Sequence, residues 1–335
     1  MNLLFNIYFR AALKLVMRPP HLRVFINYFK YTLCRLLKNE IVSHTPANVV
    51  IYATKNCNLN CPFCFIGNDL NPPDGYKYQL TLEDYKKLSE TGFIKNALRI
   101  GLLGGEPFLC KDIFKILELM KTQKKIITVV TNATLVKEAK LEKFQETAPD
   151  ILGLSLYKSN HNDVALVYSA MKNKSILWIQ TIIEATDLAL IEKAIEFCLK
   201  IGCNNLRLSN FYPTYGENMD KVIFDDDKNF FRYKTAINKK YKDQIRIDWP
   251  FPIARKILKK QCLQPINYVH LDNQGAIGAC FMRAPNEAIH GNVFDDNAWN
   301  GKFHIDLRRK MNSKGTECDP VCRYCENLSE DLYKI

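Results

Sequence analysis

The feature that most constrains the fold of this chain is an alternation of apolar runs and helical patterns between residues 47 and 210. Repeated strand–helix units of this length predict parallel strands joined by right-handed crossovers. The predicted strands cover residues 48–53, 98–103, 126–130, 151–156, 175–183 and 206–209, and the predicted helices cover residues 82–94, 112–120, 136–145, 163–172 and 189–201. Such units favour an α/β fold with a partial (β/α)6 TIM-like barrel over an open doubly wound sheet. In both folds the loops after the strands form the site.

The whole sequence divides into four predicted segments. These are a basic amphipathic helical segment (1–46), an α/β core (47–215), a helical linker (216–261) and a small cysteine-containing domain (262–335). Within the linker, three successive aspartates at 225–227 predict the N-terminal cap of a helix over residues 230–241. A length of 335 residues with 47% hydrophobic content is enough for a substantial core.

Cysteine usage indicates the redox environment. The chain has 12 cysteines, most of them in tight clusters. We find no export signal and no apolar run near the ~20 residues that span a bilayer. Clustered thiols in such a chain indicate metal binding in a reducing compartment rather than disulfides. We therefore expect a cytoplasmic protein, and residues 1–39 leave open a peripheral position at the inner membrane surface.

The net charge of +12 is unevenly distributed along the chain. Residues 1–39 hold seven cations and no acid, and Arg10, Lys14 and Arg18 recur at the spacing of one helix face. Prolines at positions 19 and 20 predict a break between two helices. The second helix would carry an apolar stripe formed by Leu22, Phe25, Ile26, Phe29, Leu33, Leu36 and Leu37.

This N-terminal segment has two interpretations. In the first, the stripe packs on the body of the protein and the cations lie in water. In the second, the segment contacts an anionic membrane surface or an acidic peptide. No aromatic–basic signature accompanies the charge, so we expect no nucleic-acid partner.

Three cysteines follow the first predicted strand in the string Cys57-Asn-Leu-Asn-Cys61-Pro-Phe-Cys64. Thiolates spaced Cys-x3-Cys-x2-Cys can ligate three irons of a [4Fe–4S] cluster and leave the fourth iron open to a substrate or cofactor. Clusters that only transfer electrons usually take four cysteines. The spacing is also compatible with zinc, which favours thiolates and usually takes a fourth ligand.

The second predicted strand ends in Gly104-Gly105-Glu106-Pro107. The two glycines allow a close approach of the backbone, and Glu106 supplies a carboxylate beside them. With the cysteine triad after the preceding strand, the chain closely resembles the radical S-adenosylmethionine (SAM) enzymes. In that family a [4Fe–4S] cluster binds the methionine part of SAM and donates the electron that cleaves it. The resulting 5′-deoxyadenosyl radical abstracts a hydrogen atom from the substrate.

The resemblance implies positions around SAM for six residues outside the triad: Phe63 near the adenine, Gly104, Gly105 and Glu106 at the amino group, and Asn132 and Ser155 at the ends of the third and fourth strands. Asn132 belongs to a Thr-Asn-Ala string that resembles the family's Thr-Asn-Gly, and Tyr157 stands where the family frequently has Asp. Ordinary capping of strand ends is an alternative role for Asn132 and Ser155. Cys110 is either a candidate hydrogen-atom donor to a substrate radical or a small apolar filler.

The C-terminal segment carries a second cysteine set. Residues 268–280 predict a β-hairpin with Gly275 at its turn, which would bring Cys262 and Cys280 together. With three more cysteines farther on, the region resembles the SPASM and twitch domains that bind auxiliary clusters in many radical SAM enzymes. Five cysteines suit one auxiliary [4Fe–4S] cluster, which is the twitch case. The resemblance implies Cys262, Cys280, Cys322 and Cys325 as its ligands and Cys318 as an alternative ligand, and zinc is an alternative to iron.

The resemblance covers roughly residues 47–330 and implies a radical SAM enzyme. The expected reaction is a hydrogen-atom abstraction that oxidises, crosslinks or epimerises a residue of a ribosomally made peptide. Radical oxidation of a sugar, an alcohol or a lipid or glycan precursor is the alternative, and a zinc protein that binds nucleic acid is a distant one. The expected partners are a substrate peptide or small molecule and an electron donor such as flavodoxin or ferredoxin.

Overall fold

The computed structural model describes residues 10–11, 13–64, 71–213, 218–255, 262–312, 322 and 325, with the backbone alone at residue 76. In these ranges the chain forms a nine-stranded sheet, whose strands are β1 (Asn48–Thr54), β2 (Arg99–Gly104), β3 (Ile126–Thr131), β4 (Ile151–Ser155), β5 (Ile176–Ile183), β6 (Asn205–Asn210), β7 (Arg246–Asp248), β8 (Tyr268–Leu271) and β9 (Ile277–Gly278). The strand order is β7-β6-β5-β4-β3-β2-β1-β8-β9. Every neighbouring pair is parallel except β8–β9.

The six predicted strands are all present, to within one residue at each end. Most of their side chains are buried on both faces, as expected of parallel strands that helices cover. Burial on both faces is the reason why these strands read as nearly continuous apolar runs. Because β1 to β6 follow one another in chain order and run parallel, the predicted fold class, a partial (β/α)6 barrel, is confirmed.

Helices connect the strands and cover the sheet. In chain order they are α1 (Leu22–Leu37), α2 (Leu82–Ser89), α3 (Gly92–Asn96), α4 (Ile113–Thr122), α5 (Glu138–Glu146), α6 (His161–Met171), α7 (Ala189–Lys200), α8 (Lys228–Lys240), α9 (Gln264–Asn267), α10 (Glu287–His290) and α11 (Lys302–Asn312), with short 3₁₀ turns at Gly75–Tyr78, Pro107–Leu109, Met219–Lys221 and Ala298–Asn300. The helix predicted over residues 82–94 is divided in two. Thr91 is extended and donates its hydroxyl to the Leu88 carbonyl at 2.7 Å, which competes with helical bonding.

The main hydrophobic core lies between the strands and these helices. Ile51, Leu102 and Val129 from three adjacent strands belong to the same packed cluster as Leu117 of α4 and Phe144 of α5. None of these five side chains is more than 1% exposed. The core therefore holds the strands rigidly and leaves their carboxyl ends for the site.

Two features of the sheet are absent from the sequence predictions. β7 pairs with β6 inside the segment predicted as a helical linker, and it follows α8. The predicted cap of that helix is confirmed, since Asp227 accepts the Phe230 N–H at 3.0 Å. β8 pairs with β1, with Asn48 opposite Tyr268, so the sheet continues across the boundary predicted at residue 262. The division into four segments stays a prediction.

The hairpin predicted at residues 268–280 is present. β8 and β9 are antiparallel, and Asp272 accepts the N–H groups of Gln274 and Ala276 at 2.9 Å within the turn. Gly275 has a φ of +87°, and a Cβ at this position would lie 2.6 Å from the side-chain oxygen of Asn292. The turn therefore requires glycine for its conformation and for its close packing.

The N-terminal helices differ from the expectation of a packed hairpin. Residues 13–17 are helical, and Lys14 and Arg18 share one partner, Asp150, with the Lys14 ammonium 3.6 Å from its carboxylate. α1 packs on the body of the protein through Val24, Asn27, Tyr31 and Cys34. The predicted apolar stripe faces outward instead, so the expectation that it packs on the body is wrong. No helix in the described ranges is both long enough and apolar enough to cross a bilayer.

Candidate active site and second cysteine centre

A cavity of about 240 Å³ opens at the carboxyl ends of β1 to β6. It is the edge at which α/β barrels place their chemistry. Every residue that the sequence placed at the SAM cluster or around SAM lines this cavity: Cys57, Cys61, Phe63, Cys64, Gly104, Gly105, Glu106, Asn132 and Ser155. The structure therefore brings together residues from four separate strand ends.

Hydrogen bonds fix the loop that carries the three cysteines. The Cys57 N–H donates to Asn71 Oδ1 at 2.8 Å, and the Cys64 N–H donates to the Cys61 carbonyl at 3.1 Å. Partial burial raises the pKa of the Cys57 and Cys61 thiols, and the charges of neighbouring thiolates raise it further. The three thiols are thus close enough to interact, and binding a metal would release their protons.

The two glycines let β2 end directly against the cysteine loop. Gly104 has a φ of +125°, and a Cβ there would lie 2.4 Å from the Thr54 carbonyl oxygen. A Cβ on Gly105 would lie 2.0 Å from the Asn56 carbonyl oxygen and 3.1 Å from the Cys57 nitrogen. The backbone from Thr54 to Cys57 therefore occupies the space where a Cβ would lie at these two positions. This close approach requires glycine at both.

Glu106 joins the ends of β2 and β3. The residue is 1% exposed, and its Oε1 accepts the Thr131 hydroxyl at 2.6 Å and the Phe108 N–H at 3.1 Å. Its Oε2 accepts the Asn132 N–H at 2.8 Å. Burial raises the pKa of the Glu106 carboxyl, and these three donors oppose the rise. The buried carboxylate therefore holds Asn132 at the cavity wall.

Side-chain amides connect the ends of the next strands. Asn132 donates its amide to Asn58 Oδ1 at 3.1 Å, which ties β3 to the cysteine loop. Asn160 donates to the Asn132 carbonyl at 2.7 Å and to the Ser155 carbonyl at 2.8 Å. The Ser155 hydroxyl accepts the Gln180 amide at 3.1 Å. Asn132 and Ser155 thus form hydrogen bonds at the ends of their strands, as in the capping role that the sequence left open. Both residues also line the cavity.

Tyr157 and Gln180 also line this cavity, and neither is among the residues that the sequence placed around SAM. The Tyr157 ring stacks on Phe63 at 5.7 Å between ring centres, and its hydroxyl opposes the rise in the pKa of the Cys61 thiol. Burial raises the pKa of Tyr157 above its usual value, so the hydroxyl is a donor at neutral pH. The spacing of Tyr157 two residues after Ser155 was a usable signal, whereas no motif marks Gln180.

Cys110 does not line this cavity. It follows the Pro107–Leu109 turn, is 2% exposed and donates its thiol to the Leu80 carbonyl at 2.9 Å. Burial raises its pKa to about 11. Because the turn directs the side chain into the core, the geometry favours the role of apolar filler over that of hydrogen-atom donor.

The C-terminal region brings together the four cysteines predicted as auxiliary ligands, Cys262, Cys280, Cys322 and Cys325. Burial raises the pKa of Cys262, and all three of the other thiols raise it further, so the four lie close together. Burial raises the pKa of Cys280 to about 11, whereas the Met282 N–H and the Arg283 charge oppose the rise. Cys318 lies outside the described residues.

The donor chemistry of both groups fits iron–sulfur clusters, since thiolates are the usual ligands of such clusters. Within the described ranges, no three histidine, cysteine, aspartate or glutamate side chains form a site for a single metal ion. An iron–sulfur cluster does not require several side chains to meet at one ion, because each of its thiolates binds a different iron. Iron and zinc analysis distinguishes the two metals directly.

Arg308 of α11 fixes the C-terminal region to the body of the protein. Its side chain is fully buried, and it donates to the carbonyls of Pro265 at 3.1 Å, Glu40 at 2.9 Å and Trp299 at 2.5 Å. The guanidinium also donates to Asn300 Oδ1 at 3.1 Å and lies 4.7 Å from the centre of the Trp299 ring. Burial lowers the pKa of Arg308 to about 10, so it is a cation at neutral pH.

Comparison with protein families agrees with this geometry. A family model described as the Radical SAM superfamily matches residues 51–225, which is more than half of the chain. The matched range contains the cysteine triad and the ends of β1 to β6. The chain belongs to the radical SAM superfamily.

The relatives cover most of this chain. A protein of Methanocaldococcus jannaschii named probable GTP 3′,8-cyclase is 27% identical over 320 residues, which are 85% of this chain and 95% of that protein. AlbA of Bacillus subtilis, a biosynthesis protein of the antilisterial bacteriocin subtilosin, is 23% identical over 285 residues, 79% of this chain and 61% of AlbA. The crystal structure of Streptococcus suis SuiB bound to SAM has a TM-score of 0.61 at 18% identity, over 88% of this chain and 75% of that one. This last likeness shows a shared fold.

Family membership confirms the prediction of a radical SAM enzyme that uses SAM and a [4Fe–4S] cluster. The likeness to the SuiB fold extends beyond residue 225, because it covers 88% of the chain. The ligands of each cluster and the contacts of SAM stay predictions.

Proposed function

We propose that this radical SAM enzyme modifies a residue of a ribosomally made peptide by abstraction of a hydrogen atom. The observation that carries the proposal is that the cysteine-lined cavity adjoins a second cavity of about 460 Å³. The two share Leu59, Cys61, Phe63, Tyr157, Thr181 and Ile182. Two adjoining cavities of this kind suit an extended chain of which one residue enters the inner cavity. AlbA, a bacteriocin biosynthesis protein, and SuiB, whose crystal structure with the precursor peptide SuiA shares this fold, support the same substrate class.

Cys57, Cys61 and Cys64 are the proposed ligands of the SAM-binding cluster. When bound, the cluster and SAM together supply the 5′-deoxyadenosyl radical. Within the loop, the Leu59 N–H lies 3.4 Å from Cys57 Sγ, and the Tyr157 hydroxyl opposes the rise in the pKa of the Cys61 thiol. Both groups favour the thiolate forms that iron requires.

The remaining cavity residues are proposed to bind and orient SAM. Phe63 and its stacking partner Tyr157 form an aromatic wall, and Gly105 leaves backbone exposed to the cavity. The carboxylate of Glu106 already accepts three protein donors, so we assign it to positioning Asn132. Asn132 and Ser155 then present polar groups from fixed strand ends, which limits the reorganisation that binding requires.

Cys262, Cys280, Cys322 and Cys325 are the proposed ligands of one auxiliary [4Fe–4S] cluster, held by a domain of residues 262–335. A complete set of four thiolates is typical of clusters that transfer electrons. Arg283 beside Cys280 favours its thiolate form. The proposed external partner is a one-electron donor such as flavodoxin or ferredoxin. It would reduce the cluster of a radical SAM core formed by residues 47–215. The proposed location of the protein is the cytoplasm.

A second candidate substrate is a purine nucleotide. It is favoured by the likeness to the probable GTP 3′,8-cyclase, which spans 95% of that protein. A triphosphate requires cations, however, and the described lining of the inner cavity contains no lysine or arginine. Lys158 and Lys193 line the second cavity instead. The described lining of the inner cavity therefore disfavours a triphosphate.

A direct comparison of substrates tests the proposal. The reconstituted, reduced enzyme is supplied with SAM and either a ribosomally made precursor peptide or GTP. We expect 5′-deoxyadenosine together with a changed peptide mass, or with uptake of solvent deuterium when the product is an epimer. Conversion of GTP with the peptide unchanged would establish the second candidate and refute the first. The matched control is Cys57→Ala, which we expect to cleave no SAM with either compound.

A further inference from the structure

The outward stripe of α1 consists of Leu22, Phe25, Ile26, Phe29, Leu33, Leu36 and Leu37. These side chains are between 46% and 73% exposed. At 3.6 residues per turn, all seven fall within about 120° of the helix circumference. They therefore form one continuous apolar face over the whole length of the helix.

The outward stripe lies on the side of α1 opposite to its packed face. Val24, Asn27, Tyr31 and Cys34 are buried, and their mean direction is about 160° from that of the stripe. Asn27 anchors the packed face, because its side chain accepts the Thr45 N–H at 3.0 Å and donates to the Thr45 carbonyl at 2.9 Å. The stripe therefore takes no part in holding the helix to the protein.

The exposed apolar surface of the protein is concentrated here. Twelve of the fifteen large hydrophobic side chains that are exposed in the described residues lie between residues 13 and 41. They include Leu13, Val16 and Met17 of the preceding helical stretch. A contiguous apolar surface of this kind marks an interaction site, whereas scattered exposed residues do not.

The charged side chains of α1 itself are all positive. Arg23 and Lys30 lie at one border of the stripe, about 40° and about 20° beyond its edge. Arg35 and Lys38 lie near the C-terminal end of the helix, and the sequence from residue 10 to residue 39 contains no carboxylate. Lys14 and Arg18 contact Asp150, so Arg23 and Lys30 are the cations that lie beside the stripe.

We propose that α1 is a membrane-docking helix, which lies in the interface of an anionic lipid bilayer with its outward stripe in the acyl boundary. Arg23 and Lys30 would meet the phosphates, as cations at the border of an interfacial helix do. The arrangement disfavours a second copy of the chain as the occupant. A two-fold contact through α1 would oppose cations to cations, with no acid in the helix to pair with them.

Vesicle flotation of the full-length protein tests the proposal. The vesicles are phosphatidylcholine alone, or phosphatidylcholine with about 30% phosphatidylglycerol, at about 0.1 M and about 1 M salt. We expect binding to the anionic vesicles that weakens but persists at high salt, because the charge contribution is screened and the apolar contribution is not.

Two variants separate the apolar and the charged contributions. Phe25→Ser/Phe29→Ser/Leu33→Ser should lower the partition coefficient by about 100-fold, since each side chain loses part of its burial in lipid. Arg23→Glu/Lys30→Glu should lower it by at least about 10-fold at low salt. The matched control is Phe231→Ser/Ile289→Ser/Phe294→Ser, which removes three exposed hydrophobic residues elsewhere and should leave binding unchanged. Neither α1 variant alters the packed face, and circular dichroism verifies that each one folds.

Several results would overturn the proposal. The proposal is wrong if the wild-type protein does not float with anionic vesicles, or if the triple α1 variant floats as the wild type does. It is also wrong if binding appears only after deletion of residues 1–9. Light scattering that shows a wild-type dimer and a monomeric triple variant, without vesicle binding, would assign the stripe to a second copy. Binding of an acidic substrate peptide that the triple variant abolishes, without vesicle binding, would assign it to that peptide.

Discussion

Replacement of Gly105 by alanine is expected to displace the cysteine loop and abolish the SAM-binding cluster. The added Cβ would lie 2.0 Å from the carbonyl oxygen of Asn56, whereas real Cβ contacts essentially never fall below 3.0 Å. The backbone of Asn56 must therefore move by about 1 Å, and Cys57 follows it directly in the chain. Because the obstructing atoms belong to the backbone, no side-chain rotation relieves the contact.

The magnitude follows from that displacement. Overpacking of this size costs about 1–3 kcal/mol of unfolding free energy, which leaves a stable domain folded. A shift of about 1 Å in a ligand loop is enough to lower activity by about 100-fold or more. Since the second cysteine centre lies elsewhere, we expect Gly105→Ala protein to retain about half of the wild-type iron and to form almost no 5′-deoxyadenosine.

Gly92→Ala is the matched control. A Cβ on Gly92, the first residue of α3, would lie 3.6 Å from its nearest neighbour, which is ordinary contact. Alanine in place of this helical glycine should leave iron content and SAM cleavage unchanged and stabilise the fold by up to about 1 kcal/mol. Iron analysis, SAM cleavage and thermal unfolding of both variants make the comparison. A Gly105→Ala enzyme with full iron and wild-type cleavage would refute the reasoning.

Three further predictions concern buried polar groups. Arg308→Met should lower the unfolding free energy by about 3–5 kcal/mol in urea titrations, because four acceptors, among them the buried Pro265 and Trp299 carbonyls, lose a donor. Exposed Arg309→Met should cost less than about 1 kcal/mol, and equal losses would contradict the reasoning. Burial lowers the pKa of His270 to about 3, compared with about 6.5 in the unfolded state. Between these two pH values the unfolded state binds a proton that the folded state does not. The stabilising contribution of neutral His270 is therefore complete above pH 6.5 and is lost as the pH falls. In His270→Gln protein the difference in unfolding free energy between pH 7 and pH 5 should shrink by about 2 kcal/mol, and an unchanged difference would refute the assignment. Glu106→Gln should weaken equilibrium binding of SAM while iron content is retained. The reason is that an amide cannot accept every donor that the carboxylate accepts. Unimpaired SAM binding would refute the positioning role.

Much of the core fold could be predicted because its strands are buried on both faces. Burial makes β1 to β5 read as apolar runs, so their bounds follow from composition alone. β7 was missed because it is three residues long and carries Arg246 and Asp248. The pairing of β8 with β1 joins positions more than 200 residues apart, and no local pattern encodes such a contact.

The candidate site shows the same division between local and tertiary information. Motif spacing predicted the triad, the two glycines and Glu106 correctly as lining residues of one cavity. It did not predict that the glycines make room for the cysteine loop, or that Glu106 is enclosed by three donors, because both facts depend on neighbours from other strands. The usual behaviour of amphipathic helices favoured the interpretation in which the stripe of α1 packs on the body, yet Val24 and Tyr31 pack inward instead.

The central claim is that the cysteine loop after β1 holds a cluster that cleaves SAM and that a second cysteine centre supports turnover. It is tested most directly by 5′-deoxyadenosine formation in reconstituted, reduced wild-type, Cys57→Ala and Cys280→Ala proteins. We predict cleavage by the wild type, none by Cys57→Ala, and cleavage without modified product by Cys280→Ala. A colourless, zinc-containing wild-type protein that forms no 5′-deoxyadenosine would contradict the claim.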